Sequence, residues 1–111
     1  MLKTHTVGPV LVLEASGPRL DAAQAVRFRE EFLQHIEGNP DRVVIDFSNV
    51  TFLDSSGLGA LVSVIKRLNK HGRPVICGLQ PAVQTMFSLT RMDQVMTVRQ
   101  TRDDAVASFA E

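Results

Sequence analysis

The sequence predicts an α/β domain built on a parallel or mixed sheet, and three observations carry that expectation. Short apolar runs rich in Val and Ile alternate with longer segments of helical periodicity. Gly and Pro punctuate most joints between them. The run Val43-Val44-Ile45 is apolar without alternation, as in a strand buried on both faces.

In order along the chain, residues 9–15 (PVLVLEA), bounded by Gly8-Pro9 and Ser16-Gly17-Pro18, read as a strand, with a shorter strand expected before Gly8. Asp21 stands at an N-cap position and Gln24 completes the spacing of a capping box. The helix it starts spans about residues 22–37. Ala25, Phe28, Phe32 and Ile36 form its apolar stripe, Val26 and Leu33 widen it, and EGNP ends it. Residues 41–47 (DRVVIDF) form the next strand. The connection SNVTFLD leads to a helix with Leu58, Leu61, Val62, Ile65 and Leu68 on one side and Ser63, Lys66, Arg67 and Lys70 on the other, closed by Gly72 at C′. RPVICG is a strand, PAVQTMFSLT a helix with Pro81 in its first turn, QVMTVRQ the last strand, and about residues 102–110 a terminal helix.

The 111 residues, 44% of them hydrophobic, suit a single domain over residues 1–111 with one core and no need of disulfides or metals. Twelve basic residues balance twelve acidic ones, so no direct nucleic-acid partner is expected. The apolar run VLVL is too short for a signal peptide, and no stretch approaches the roughly 20 residues that span a bilayer. A cytoplasmic protein without membrane insertion is expected. Cys77, flanked by Val and Ile, reads as a small residue of a buried strand and not as a reactive thiol.

Catalytic chemistry finds little support. The serines lack the G-x-S-x-G elbow, and His5, His35 and His71 fall on three different elements, the latter two suited to helix ends. Neither H-E-x-x-H nor paired cysteines occur, and GLG is followed by no Walker lysine, so no metal and no cofactor is expected. Lys66, Arg67, Lys70 and Arg73 carry no interleaved aromatics and read as a solvated face at a helix C-terminus.

The segment DSSG, residues 54–57, admits two readings. In one, Ser55 or Ser56 is an N-cap, Asp54 complements the positive helix end, and Gly57 and Gly59 permit close packing against the sheet. In the other, a serine between strand end and helix start lies on the edge where open α/β sheets meet their partners, and is a regulatory hydroxyl.

VVIDFSNVTFLDSSGLGAL resembles the central segment of STAS-domain proteins, specifically the anti-sigma factor antagonists, whose motif is D-S-[ST]-G-[LI]-[GA]. The likeness continues through KHGRPVICGLQPAVQTMFSLTRMDQV, and RLDAA resembles the family's acidic turn, with one more residue between Gly17 and Leu20 than its usual G-x-L-D. The resemblance implies the STAS fold, a mixed sheet of four or five strands with helices mainly on one face, and no enzymatic activity. It further implies that the unphosphorylated chain binds an anti-sigma factor that is also a serine-protein kinase, and that phosphorylation blocks binding. A PP2C-type phosphatase reverses the modification. Carried over, the phosphoacceptor is Ser55. Asp21, Asp54, Ser56, Gly57, Leu58 and Gly59 belong to the partner-binding surface, with the first-turn N–H groups at the glycines open to a phosphate. STAS domains also serve as accessory subunits of transporters and in signalling modules with no sigma factor; the freestanding length and intact DSSG favour the antagonist.

Overall fold

The strands expected from the sequence form one sheet, and two unexpected two-residue strands form a second, smaller one, in a computed structural model that describes residues 1–70 and 74–110. His71, Gly72, Arg73 and Glu111 lie outside the described residues, and with them the expected C′ glycine and one end of the basic cluster. The main sheet contains β1 (Leu2–Val7), β2 (Val10–Ala15), β4 (Val43–Asp46), β6 (Val75–Cys77) and β7 (Thr97–Arg99), side by side in that order. β1 and β2 form an antiparallel hairpin, Val7 opposite Val10, turned through Gly8 at φ +58°. All other neighbours run parallel, with Leu13 opposite Ile45 and Ile45 opposite Ile76. The second sheet is a single parallel pair, β3 (Arg19–Leu20) with β5 (Phe52–Leu53).

α1 (Ala22–His35), α2 (Ser55–Leu68) and α3 (Pro81–Leu89) contribute to the core on one face of the main sheet. Phe28 and Phe32 of α1, Leu61 and Ile65 of α2 and Phe87 of α3 are fully buried there with Leu13, Ile45, Phe47 and Ile76. Phe28 and Phe47 meet edge-on, ring centres 6.3 Å apart, the geometry the aromatic quadrupole favours. α4 (Arg102–Ala107) and the 3-10 turn that follows it cover the opposite face, where Ala105, Val106 and Phe109 pack on Val10, Val12, Val44, Val75 and Cys77. Coverage on both faces is the reason β4 is apolar at successive positions.

Several local expectations are corrected. Val26 does not join the buried stripe; it is 66% exposed, because two residues along a helix turn it about 200° from Phe28, to the opposite side. Leu33 does pack against the core as a half-buried neighbour. In α2, Leu61, Ile65 and Leu68 are buried as expected, but Gly57, Ala60 and Val64 take the other inner positions and leave Leu58 and Val62 half-buried. Asp21 caps α1 through the Ala23 N–H, one residue short of the donor a capping box uses. Cys77 is fully buried; loss of solvent, reinforced by the charge of Asp46, pushes its thiol up to about 12. No helix among the described residues is long and apolar enough to cross a membrane.

One ion network ties α4 to the sheet. Arg102, its first residue, donates from Nε to Asp46 Oδ2 at 2.9 Å and also pairs with Glu14, joining the ends of two parallel strands. Asp46 is only 4% exposed, yet it is ionised: burial pushes its carboxyl up, and the Ser48 hydroxyl and N–H together with Arg102 outweigh that and hold it below 3.8. A carboxyl lowered in the folded state stabilises the fold above its unfolded pKa and loses that contribution as pH falls through the folded value. Arg102→Ala is therefore expected to cost about 1–3 kcal/mol near pH 7. The deficit should shrink as pH is taken below 3.8, where Asp46 protonates. Guanidinium unfolding of both proteins across pH 7 to pH 2 checks this, and a deficit independent of pH would contradict it.

Candidate functional site

The β3–β5 pair is what builds the site. Arg19 lies opposite Phe52 and Leu20 opposite Leu53, so the next residue of each strand, Asp21 and Asp54, sits at the start of a helix beside the other. Both acids are N-caps with extended backbones. The Asp54 N–H approaches Leu20 O at 3.4 Å, continuing the pairing by one step. Two-residue strands hold little by themselves, and here the caps finish the work.

Asp54 serves both helices. Its Oδ1 accepts from the Gly57 N–H at 2.9 Å, closing the first turn of α2, and its Oδ2 accepts from the Ala22 N–H at 3.2 Å, the first residue of α1. Asp21 serves its own helix only: Oδ1 accepts from the Ala23 N–H at 3.1 Å, and Oδ2 accepts from Arg19 Nε at 3.0 Å. The hydrogen bond from Arg19 holds the Asp21 carboxyl below 3.8 against a smaller opposing effect of burial, aided by the charge of Arg19 and the N–H groups of Ala23 and Gln24. The same guanidinium stacks on Phe52, 4.3 Å from the ring centre, and Phe52 is 40% exposed. A half-open aromatic, a cation and two carboxylates thus border one surface.

Ser55 and Ser56 occupy the first two positions of α2 and are exposed. The reading that makes either serine the N-cap is corrected: Asp54, extended at the end of β5, holds that position with its Oδ1 on the Gly57 N–H, and both serines already lie inside the helix. Both hydroxyls are left outside the capping bonds. Gly57 is buried, and a Cβ there would lie 2.1 Å from Leu20 O and 2.8 Å from a Leu53 methyl, so glycine is required for the helix to approach the β3–β5 pair. Gly59 is different. It is exposed with nothing within 4 Å of a Cβ, so the expected close packing applies to Gly57 alone. The Gly57 N–H is engaged by Asp54, which leaves the N–H groups of Ser55 and Ser56 as the first-turn donors outside the cap. Leu58 is half-buried behind this edge.

Of the residues expected at a partner surface, Asp21, Asp54, Ser55, Ser56, Leu58 and Gly59 come together, while Gly57 contributes close approach and no exposed area. Sequence reasoning missed the Arg19–Phe52 stack and the shared cap, since SNVTFLD is read there as a connection. A signal was present. Leu20-Asp21-Ala22-Ala23 and Leu53-Asp54-Ser55-Ser56 repeat one pattern, a buried leucine, an acidic cap and two small residues.

Residues 1–105 match the STAS domain family. The anti-sigma F factor antagonist of Paenibacillus polymyxa is 28% identical over 91 residues, covering 80% of this chain and 77% of that protein. The crystal structure of an anti-sigma factor antagonist from Mycobacterium paratuberculosis superposes with a TM-score of 0.90 at 26% identity, over 100% of this chain and 94% of that one. The phosphorylated form of the Bacillus cell fate determinant SpoIIAA shares the fold, with a TM-score of 0.72 at 20% identity over 98% and 99% of the two chains.

The capping assignment separates neighbouring residues by stability. Asp54→Ala is expected to cost about 1–3 kcal/mol, and Ser55→Ala or Ser56→Ala less than about 0.5 kcal/mol. Gly57→Ala should cost about 1–3 kcal/mol by overpacking, while Gly59→Ala should gain about 0.5–1 kcal/mol. Urea titration checks each, and a Ser55→Ala loss as large as that of Asp54→Ala would contradict the cap.

Proposed function

Because the chain belongs to the STAS-domain family, we propose that it is an anti-sigma factor antagonist working by partner switching, with Ser55 as its phosphoacceptor. The unphosphorylated chain binds an anti-sigma factor that is also a serine-protein kinase; phosphorylation of Ser55 ends binding, and a PP2C-type phosphatase restores it. Relatives named as antagonists of anti-sigma factors support the role. The observation that carries the assignment is the position of Ser55: exposed, at the first turn of α2, relieved of capping by Asp54, and on the same edge as Asp21.

The switch follows from charge. A phosphate adds about −1.5 to −2 charges at neutral pH. On Ser55 it stands beside the carboxylates of Asp54 and Asp21, on an edge where Arg19 is already paired with Asp21. A partner packed on this edge faces a desolvated dianion, and a penalty of 1.4 kcal/mol already weakens affinity about tenfold. Because the Gly57 N–H is occupied by Asp54, the phosphate has only the Ser55 and Ser56 N–H groups of this turn to meet it, and it projects outward. Exclusion of the partner by bulk and charge requires no refolding of the domain. Asp21, Ser56, Leu58 and Gly59 form the contact surface around it.

A pull-down from native cell extract with and without ATP, followed by mass spectrometry of residues 52–66, identifies partner and modified serine together. The recovered kinase, once purified, is expected to bind Ser55→Asp at least about tenfold more weakly than the native chain. Ser55→Ala should bind it and take no phosphate, and Ser56→Ala should still be phosphorylated. Phosphate mapped to Ser56, or to no serine, overturns the assignment.

A further inference from the structure

Asp54 stands out from the other acids of this edge because both of its carboxylate oxygens are used, and they are used by different helices. Oδ1 receives the Gly57 N–H of α2 and Oδ2 the Ala22 N–H of α1. Asp21, at the equivalent place of the other strand, caps α1 alone and spends its second oxygen on Arg19. Beyond the packing of the two helices in the core and the bond from Arg29 to Ser63, the relation between Asp21 and Ser55 is set at the helix starts by a short parallel pair of strands and by one carboxylate. Gly57 brings the start of α2 against the backbone of Leu20 without room for a Cβ, and Leu20 leads directly into Asp21 and the start of α1.

We infer that Asp54 is a positioning residue for partner recognition: it clamps the N-terminus of α1 to that of α2, so that Asp21 and Ser55 are presented as one rigid surface, and it does not itself contact the partner. This rests on the proposed function and adds to it a division of labour among the acids. Both acids are half-buried with both oxygens engaged, but Asp21 gives one oxygen to the Arg19 side chain at the surface, whereas Asp54 gives both to backbone N–H groups of two different helices. The acid that precedes the phosphoacceptor is part of the scaffold.

Two substitutions remove the same bond from opposite ends. Asp54→Asn keeps one side-chain oxygen, and Asn is as good an N-cap as Asp, so the Gly57 bond survives while the amide group meets the Ala22 N–H without accepting it. Ala22→Pro removes the donor and leaves the Asp54 carboxylate intact. Proline is well tolerated at the first helical position, and the preceding Asp21 is already extended at φ −119° and ψ −172°. Both variants are thus expected to fold. In proton–nitrogen NMR of the free proteins, the Ala22 amide proton of Asp54→Asn should lose its hydrogen-bonded downfield shift while that of Gly57 keeps it. Against the purified serine kinase, each variant should bind about tenfold more weakly than the native chain. The double variant should lie within about twofold of the singles, since both remove one shared bond.

An Ala22 resonance unmoved in Asp54→Asn overturns the clamp, whatever the kinase does. Native affinity in Ala22→Pro with weakened affinity in Asp54→Asn, or additive losses in the double variant, overturns the positioning role and makes Asp54 a direct contact. A native chain that the kinase neither binds nor phosphorylates overturns the proposed function instead, and the Ala22 resonance then still decides the clamp.

Discussion

The bond pattern of one carboxylate organises the edge of this protein at which two helices begin. A helix start leaves several backbone N–H groups without partners, and two helix starts side by side double the problem. Asp54 answers for one donor of each, with hydrogen bonds to an ionised acceptor that are roughly twice as strong as neutral ones. Its negative charge also lies between two positive helix ends, the most favourable place for it. Two features of the edge depend on this arrangement, while α1 and α2 themselves lie beside each other through their buried faces: Asp21 is held next to the DSSG motif, and the serines are freed from the capping duty that their residue type would normally attract.

The site stands just beyond the ends of the strands, and a second polar network occupies that end of the main sheet on the face of α4. Asp46 and Glu14, at or near the ends of β4 and β2, are joined through Arg102. The acids of the two places have opposite duties. Asp46 is buried, paired and structural; Asp21 is half-buried at the surface with its charge kept by Arg19. A domain of no net charge is thereby given an edge where charge is locally arranged.

Most of the fold is legible in the sequence because long elements write their packing into periodicity. The stripe of Phe28, Phe32 and Ile36, the unbroken run Val43-Val44-Ile45, and Pro81 at a helix start each report an element that the structure contains. The failures are of a different kind. Val26 is misplaced by periodicity because a stripe's width depends on what packs beside it, and Phe52-Leu53 reads as a connection because two residues carry no period. The site is half legible: the motif marks Ser55 and Asp21, but which residue caps α2 is not decidable from DSSG, where an acid and two hydroxyls compete for one position.

By itself the sequence determined the class of fold, the order of its elements, the neutrality of the surface and the chemistry available at the DSSG edge, since these depend on residue type and local spacing. Only the tertiary structure decided that Leu20 and Leu53 pair, that Asp54 bonds across to Ala22, that Gly57 is compulsory and Gly59 is not, and that Arg102 reaches back to Asp46. Each of these joins residues far apart in the chain or sets the space around a single Cβ. Such relations arise when the chain closes on itself, and no local pattern of residue types contains them.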